Sequence, residues 1–186
     1  MIDLVSRIAA LLLLIALVPL LLVLWSVCLA VHGRPVMFSQ YRAGKATVPF
    51  ELLKFRSMRD LRDPGGQPLP DAQRITALGK FLRRTRLDEL PGLLNIVRGE
   101  MTWVGPRPLL PSTISDLGLR GRRRCAVKPG LTGWSQVNGN TLLSLDQKVE
   151  LDLWYIDNRG PLLDLKILAL TLLVVVAGEK VRVGAA

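Results

Sequence analysis

A chain of 186 residues with 49% apolar residues and a net charge of +10 has room for one domain and a membrane segment. Its single histidine, His32, excludes a multi-histidine metal centre and argues against a Ser–His–Asp triad. Its two cysteines exclude a cysteine metal site, and Cys28 falls in the most apolar stretch, far from Cys125, which argues against a disulfide.

Residues 8–31 hold no charged side chain over 24 positions. A straight helix of that length reaches about 36 Å, enough to cross a hydrocarbon core of roughly 30 Å. The run is longer than the apolar region of a secretory leader, and only Arg7 stands ahead of it against Asp3, which disfavours a cleaved signal peptide. Pro19 near the middle removes the bond to the carbonyl of Ile15. Two geometries follow: a kinked spanning helix, or a broken helix whose halves of about 17 Å dip in and return to the same face. Between positions 34 and 128 there are 19 Lys/Arg and 8 Asp/Glu, whereas the rest of the chain has 6 and 7. This basic block directly follows the apolar run, so the positive-inside rule puts it in the cytoplasm. Anionic headgroups or an anionic substrate are its natural partners.

Residues 35–50 lean toward β structure through Val36, Phe38, Tyr41 and Val48. Residues 59–74, with Asp63-Pro64-Gly65-Gly66, Pro68 and Pro70, predict a mobile loop of a length common in functional lids. Helical spacing resumes at Ile75 with Leu78, Phe81 and Leu82 on one face and Arg83, Arg84 and Arg86 on another. A second helix is predicted from near Asp88 to Gly99, with Pro91 in its first turn. Gly105-Pro106-Arg107-Pro108 breaks regular structure, and Lys128-Pro129-Gly130 and Asn138-Gly139-Asn140 read as turns. Ser144 and Gln147 form a capping box for a helix to about Asn158. Residues 162–177 are apolar but carry Asp164 and Lys166, which predicts a helix packed on the core or lying in the interface.

The chemistry concentrates in the middle of the chain. Asp88 and Glu89 follow three arginines and open a predicted helix, a setting that favours both ionised carboxylates. An ionised aspartate can attack phosphorus, and a carboxylate pair can hold Mg2+ together with substrate phosphates. On the pair alone, ordinary first-turn capping is the simpler reading. Arg107, held between two prolines, is placed for an anion, although a solvated connector arginine accounts for it equally. The run at 120–124 reads first as a solvated face and second as a headgroup contact. These residues describe anion handling beside a membrane and reach phosphoryl chemistry without naming a substrate.

Several motifs occur in order: Lys54-Phe55-Arg56-Ser57-Met58, Arg83-Arg84-Thr85-Arg86-Leu87-Asp88-Glu89-Leu90-Pro91, Leu94-Asn95-Ile96-Val97-Arg98-Gly99-Glu100-Met101, Val104-Gly105-Pro106-Arg107-Pro108, and Lys128-Pro129-Gly130-Leu131-Thr132-Gly133-Trp134-Ser135-Gln136-Val137-Asn138-Gly139, then Asp152, Tyr155, Asn158 and Asp164. In this order they resemble the bacterial sugar transferase family, in its small monotopic phosphoglycosyl transferase form without additional N-terminal spans. The resemblance implies an α-rich α/β monotopic membrane protein. Residues 1–33 would form a re-entrant helix broken at Pro19, and residues 34–186 a small cytoplasmic catalytic domain with interfacial helices. It implies transfer of a sugar-1-phosphate from a UDP-sugar to polyprenyl (undecaprenyl) phosphate at the bacterial inner membrane, on its cytoplasmic face. Asp88 would be the nucleophile, Glu89 the ligand of Mg2+, and Arg83, Lys54 and Arg56 basic substrate-binding positions. Pro106, Arg107 and Pro108 would contact the nucleotide or its phosphates. The chain departs from the family pattern at Val18, where serine is usual before the proline, at Asn140, where arginine is usual, and at Gly160, where serine is common. The loss at 140 removes a cation near the site, which bears on sugar or lipid preference.

Two other readings compete. The net charge suggests a membrane-anchored nucleic-acid binder, but aromatics are only 5% and no nucleic-acid motif occurs, so no nucleic-acid partner is expected. An inactive scaffold for other glycan enzymes would tolerate loss of Asp88. Homo-oligomerisation is left open.

Overall fold

The computed structural model describes residues 2–181; Met1 and residues 182–186, at the outer ends of the two predicted segments, lie outside it. The apolar N-terminal run forms two helices, α1 (Ile2–Ala16) and α2 (Val18–His32), with the break next to Pro19 as one of the two expected geometries has it. They meet at Leu17 with a bend of 62°. Pro19 lies in the first turn of α2, where its missing N–H is tolerated. No single helix among the described residues is long and apolar enough to cross a membrane; the bent pair qualifies by length and composition.

Both arms lie against the rest of the chain. Ala10 of α1 packs with Phe50, Leu52, Leu93, Ile96 and Met101. Leu24 and Cys28 of α2 pack with Val36, Phe55 and Leu82. Arg7 Nε donates to Val97 O at 2.8 Å, Trp103 Nε1 donates to Ser6 O at 3.1 Å, and Lys128 Nζ meets Asp3 at 2.8 Å. At the other end of the pair His32 Nε2 lies 2.8 Å from Thr76 Oγ1. The outward faces, with Leu4, Leu12, Ile15, Leu22 and Val23, stay exposed.

Strands β1 (Met37–Ala43) and β2 (Pro49–Phe55) form an antiparallel hairpin, registered from Met37 opposite Phe55 to Ala43 opposite Pro49. Residues 59–74 fold back on themselves through the bridges Met58–Ile75 and Arg62–Pro68 and end in a short helix, α3 (Asp71–Arg74). Helix α4 (Ala77–Thr85) begins two residues after the predicted start, because the Thr76 side chain caps Gly79 N. Its predicted apolar face is only partly used: Leu82 is buried and Phe81 is exposed. Gly79 has no alternative here, since an added Cβ would come 1.8 Å from Ser57 O.

The helix predicted from Asp88 to Gly99 is two pieces. A 3-10 turn, Leu87–Gly92, contains Pro91, and helix α5 (Leu93–Arg98) follows and ends at Gly99 in the left-handed region. Strand β3 (Thr102–Val104), helix α6 (Pro111–Asp116), helix α7 (Gly118–Arg124), strand β4 (Gly130–Thr132) and helix α8 (Trp134–Val137) come next. β3 and β4 pair in parallel. Helix α9 (Leu145–Asn158) carries the predicted capping box, with both reciprocal bonds formed. Helix α10 (Pro161–Ala177) buries Ile167 and Val174 against Val104, Val137 and Tyr155, so it packs on the core as expected. Its outer side leaves Leu162, Leu172 and Val176 in the open. Helices dominate around two small sheets, which agrees with the α-rich α/β expectation.

Candidate active site

The 3-10 turn puts Asp88 and Glu89 side by side between α4 and β2. Arg86 enters it with φ of 59°, a left-handed conformation that reverses the chain between α4 and the carboxylates. Asn95, fully buried in α5, locks this corner to β2. Its Nδ2 donates to Glu51 O at 2.8 Å and its Oδ1 accepts from Leu53 N at 3.3 Å. The next residue on that strand, Lys54, is thereby set opposite Glu89.

Glu89 is the centre of a charge cluster. Its Oε1 accepts from Lys54 Nζ at 2.8 Å and from Arg107 Nη2 at 2.7 Å, while Arg86 stands 3.9 Å from Oε2. Burial opposes its charge, but Arg107, Lys54 and Arg86 prevail and hold the carboxyl far below the usual carboxylate range. In return, Glu89 raises the Arg107 pKa against the effect of burial.

Asp88 behaves differently. It is buried, and its Oδ1 has no hydrogen-bond partner in the protein. Burial and the adjacent Glu89 charge push its pKa up, against the pull of Lys54, Arg83 and Arg107. The sequence expectation that both carboxylates favour ionisation is therefore corrected for Asp88. The 3-10 turn buries that side chain and leaves Lys54 and Arg107 bonded to its neighbour.

Arg107 reaches Glu89 because the Pro106–Pro108 turn is pressed onto β4. An added Cβ at Gly105 would come 2.7 Å from Lys128 O, and Gly130 N donates to Pro106 O at 3.0 Å. Behind the turn, Arg124 donates to the carbonyl of Arg107 and to Asp152 Oδ2, through Nε at 2.8 Å and Nη2 at 2.6 Å. Ser135 donates to Asp152 Oδ1 at 2.8 Å. Arg124 is thus no part of a solvated face, unlike Arg120 and Arg123, which form exposed pairs with Asp146 and Asp157.

The structure gathers Glu89, Lys54 and Arg107, with Pro108, on the wall of one small cavity, while Asp88, next to Glu89 in the chain and within reach of the charges of Lys54 and Arg107, does not line it. Arg83 stands at the edge: its Nε donates to Ser57 Oγ at 3.0 Å, and its charge acts on Asp88. Arg56 is not brought in; its guanidinium donates to the carbonyls of Met58, Arg34 and Pro35. Sequence reasoning missed Arg86 as a partner of Glu89, although it stood in the quoted motif, and missed Arg42 on the cavity wall, for which no local pattern gave a signal. Asn140 binds Glu179, which also holds Arg86, so the departure at 140 belongs to the surroundings of the site.

Magnesium fits this donor set narrowly. Among the described residues no three His, Cys, Asp or Glu side chains gather to hold a metal. The unpartnered Asp88 Oδ1 and the less occupied Oε2 of Glu89 are the carboxylate oxygens on offer. Mg2+ commonly takes one or two carboxylates and fills its shell with substrate phosphates and water, which matches.

The family description "bacterial sugar transferase" matches residues 1–178. The chain is 47% identical over 150 residues to EpsL, an uncharacterized sugar transferase of Bacillus subtilis (strain 168), covering 81% of this chain and 74% of EpsL. It is 42% identical over 180 residues to an undecaprenyl-phosphate glucose phosphotransferase of Komagataeibacter xylinus, covering 88% of this chain but 34% of that protein. It is 35% identical over 156 residues to a UDP-N-acetylgalactosamine-undecaprenyl-phosphate N-acetylgalactosaminephosphotransferase of Aeromonas hydrophila, with 80% and 37% covered. Thus the chain spans only about a third of the length of the two relatives whose names state a substrate. With the family match running through every part of the carboxylate site, the chain belongs to the bacterial sugar transferase family.

Proposed function

We propose that this chain transfers a sugar-1-phosphate from a UDP-sugar to a polyprenyl phosphate, releases UMP, and so opens the membrane stage of glycoconjugate or polysaccharide synthesis. One observation carries the reading: Asp88 presents a buried, unpartnered carboxylate oxygen beside a cluster of three cations that one neighbouring carboxylate holds in place. Such a cluster suits a diphosphate, whose charge must be offset before an anionic nucleophile can approach it.

In the first step an Asp88 oxygen attacks the β-phosphorus. The bond from that phosphorus to the bridging oxygen breaks, its electron pair leaves on UMP, and the phospho-sugar remains on Asp88 as an acyl phosphate. In the second step an oxygen of polyprenyl phosphate attacks the same phosphorus and frees Asp88, giving polyprenyl-diphosphate-sugar. Burial works against the ionised nucleophile; Lys54, Arg83 and Arg107 act in the other direction. Mg2+ held at Glu89 and Asp88 would supply further positive charge against the diphosphate. Arg107 and Lys54 orient the substrate phosphates, and the fixed proline turn keeps Arg107 ready for them.

The reading also puts the enzyme on the cytoplasmic face of the bacterial inner membrane, with α1 and α2 as a re-entrant pair. The matched relatives' names span glucose and N-acetylgalactosamine, so the sugar must be found by assay. UMP release is to be measured over a panel of UDP-sugars with Mg2+ and polyprenyl phosphate, for wild type and Asp88→Asn. Release with a particular sugar, abolished by the substitution, is expected. No release across the panel, or an Asp88→Asn enzyme as active as wild type, would overturn the proposal.

A further inference from the structure

Arg42 lies in β1, on the cavity wall it shares with Lys54, Glu89 and Arg107. The hairpin brings it there: the next residue, Ala43, donates its N–H to Leu109 O at 2.9 Å, which joins the end of β1 to the turn carrying Arg107. The other two cations on the cavity wall share a carboxylate partner, and of those close behind it only Arg83, bonded to Ser57, lacks one. Lys54 and Arg107 share Glu89, Arg86 is divided between Glu89 and Glu179, and Arg124 has Asp152. Arg42 has none among the described residues. Its one side-chain bond runs from Nη2 to the neutral Gln40 Oε1 at 2.6 Å, and its Nε is buried without any acceptor.

A half-buried guanidinium with no counter-charge and an unmet donor is unfavourable unless something completes it. Arg107 beside it adds repulsion, which together with burial lowers the pKa of Arg42. A phosphate oxygen entering the cavity would meet both needs at once, since the guanidinium fork matches two oxygens of one phosphate.

We infer that Arg42 is a substrate-binding residue that takes a phosphate oxyanion of the reaction's substrates, beyond the cluster at Glu89. The inference rests on the proposed function. The oxyanion could belong to the nucleotide diphosphate or to the lipid phosphate, and binding measurements separate them.

Affinities of wild type, Arg42→Gln and Arg42→Lys for UDP and for a short-chain polyprenyl phosphate would be measured by calorimetry in detergent. The fold of each variant would be checked by circular dichroism. Arg42→Gln should weaken one of these ligands by about tenfold or more, the loss of one charge-assisted contact. The affinity that remains should also depend less on salt than that of wild type, because a charge contact has gone. Loss for UDP assigns the contact to the nucleotide, and loss for the lipid assigns it to the acceptor. Arg42→Lys keeps the charge without the fork, so it should weaken the same ligand to a smaller extent; it carries the test if Arg42→Gln does not fold. Wild-type affinity for both ligands in a folded variant would overturn the role of Arg42. A wild-type protein that binds neither ligand would instead remove the proposed function and this inference with it.

Discussion

Glu179, just past the end of α10, shows how a single side chain can connect distant parts of the site. It pairs with Arg86 at 2.8 Å and accepts bonds from Asn140 and from the backbone N–H and hydroxyl of Thr141. Arg86 sits in a left-handed conformation that a β-carbon disfavours, and its side chain is held between Glu89 and Glu179. Burial opposes the Glu179 charge, but the bonds from Thr141 and Asn140 and the Arg86 guanidinium together hold its carboxyl below the ordinary 4.5. A carboxyl depressed in the folded state contributes stability above its unfolded pKa and loses it as pH falls through the folded value. Wild type should therefore unfold at a higher temperature than Glu179→Gln at neutral pH, and the gap should close as pH falls below about 4.5. Melting curves across that range are the check, and a gap that persists unchanged into acid would refute the coupling. Nothing local in the sequence marked Glu179: Arg86 lies 93 positions away. The Asp88-Glu89 pair and Arg107 were legible, because adjacency and flanking prolines are local signals. The division of the pair into one stabilised and one destabilised anion was not, because it depends on which carboxylate the cations reach.

Between elements, the connection that matters is the buried Arg124–Asp152 pair. It joins α7 to α9, Ser135 adds α8, and Arg124 extends the connection to the carbonyl of Arg107. Asp152→Asn keeps the shape but leaves the Arg124 guanidinium, with 4% of its side chain exposed, without a counter-charge. Breaking such a buried pair costs about 3 kcal/mol, which for a chain of this length lowers Tm by roughly 10 °C. The Arg107 turn should loosen with it, so UDP affinity should fall in the variant even at temperatures where it remains folded. A Tm equal to that of wild type would refute the structural role, and an unchanged UDP affinity would refute the link to Arg107. Sequence patterns separated the elements well where caps and turns are local, as at Ser144 and Gln147. They failed where a tertiary partner decides. Arg124 belongs to a run of basic residues, and only its packing against Asp152, 28 positions on, distinguishes it from Arg123. The helix expected from Asp88 likewise divided, because Arg86 turns left-handed and Pro91 falls within the tight turn that follows.

For the whole molecule, the decisive relation is that both ends of the bent helix pair are fastened to one body. Asp3 and Arg7 are bonded to Lys128 and Val97, and His32 to Thr76, all in the part of the chain that carries the carboxylate site. A helix that crossed the bilayer would put its two ends about 30 Å apart on opposite faces and could not keep both sets of bonds. The sequence held both geometries in balance, since Pro19 permits a kink or a break equally. The anchors favour re-entry, and they lie outside any local pattern. The test is to place single cysteines at Asp3 and Glu150 and label cells with a maleimide that does not cross the membrane. Asp3 is largely exposed and its pair with Lys128 is a surface one, so replacing it should disturb little. The native Cys28 and Cys125 are buried and give little background. Re-entry predicts that both introduced cysteines stay protected in intact cells and react together once the membrane is opened. Labelling of Asp3→Cys alone in intact cells would mean a spanning helix, and then the bonds at one end of the pair could not exist in the membrane.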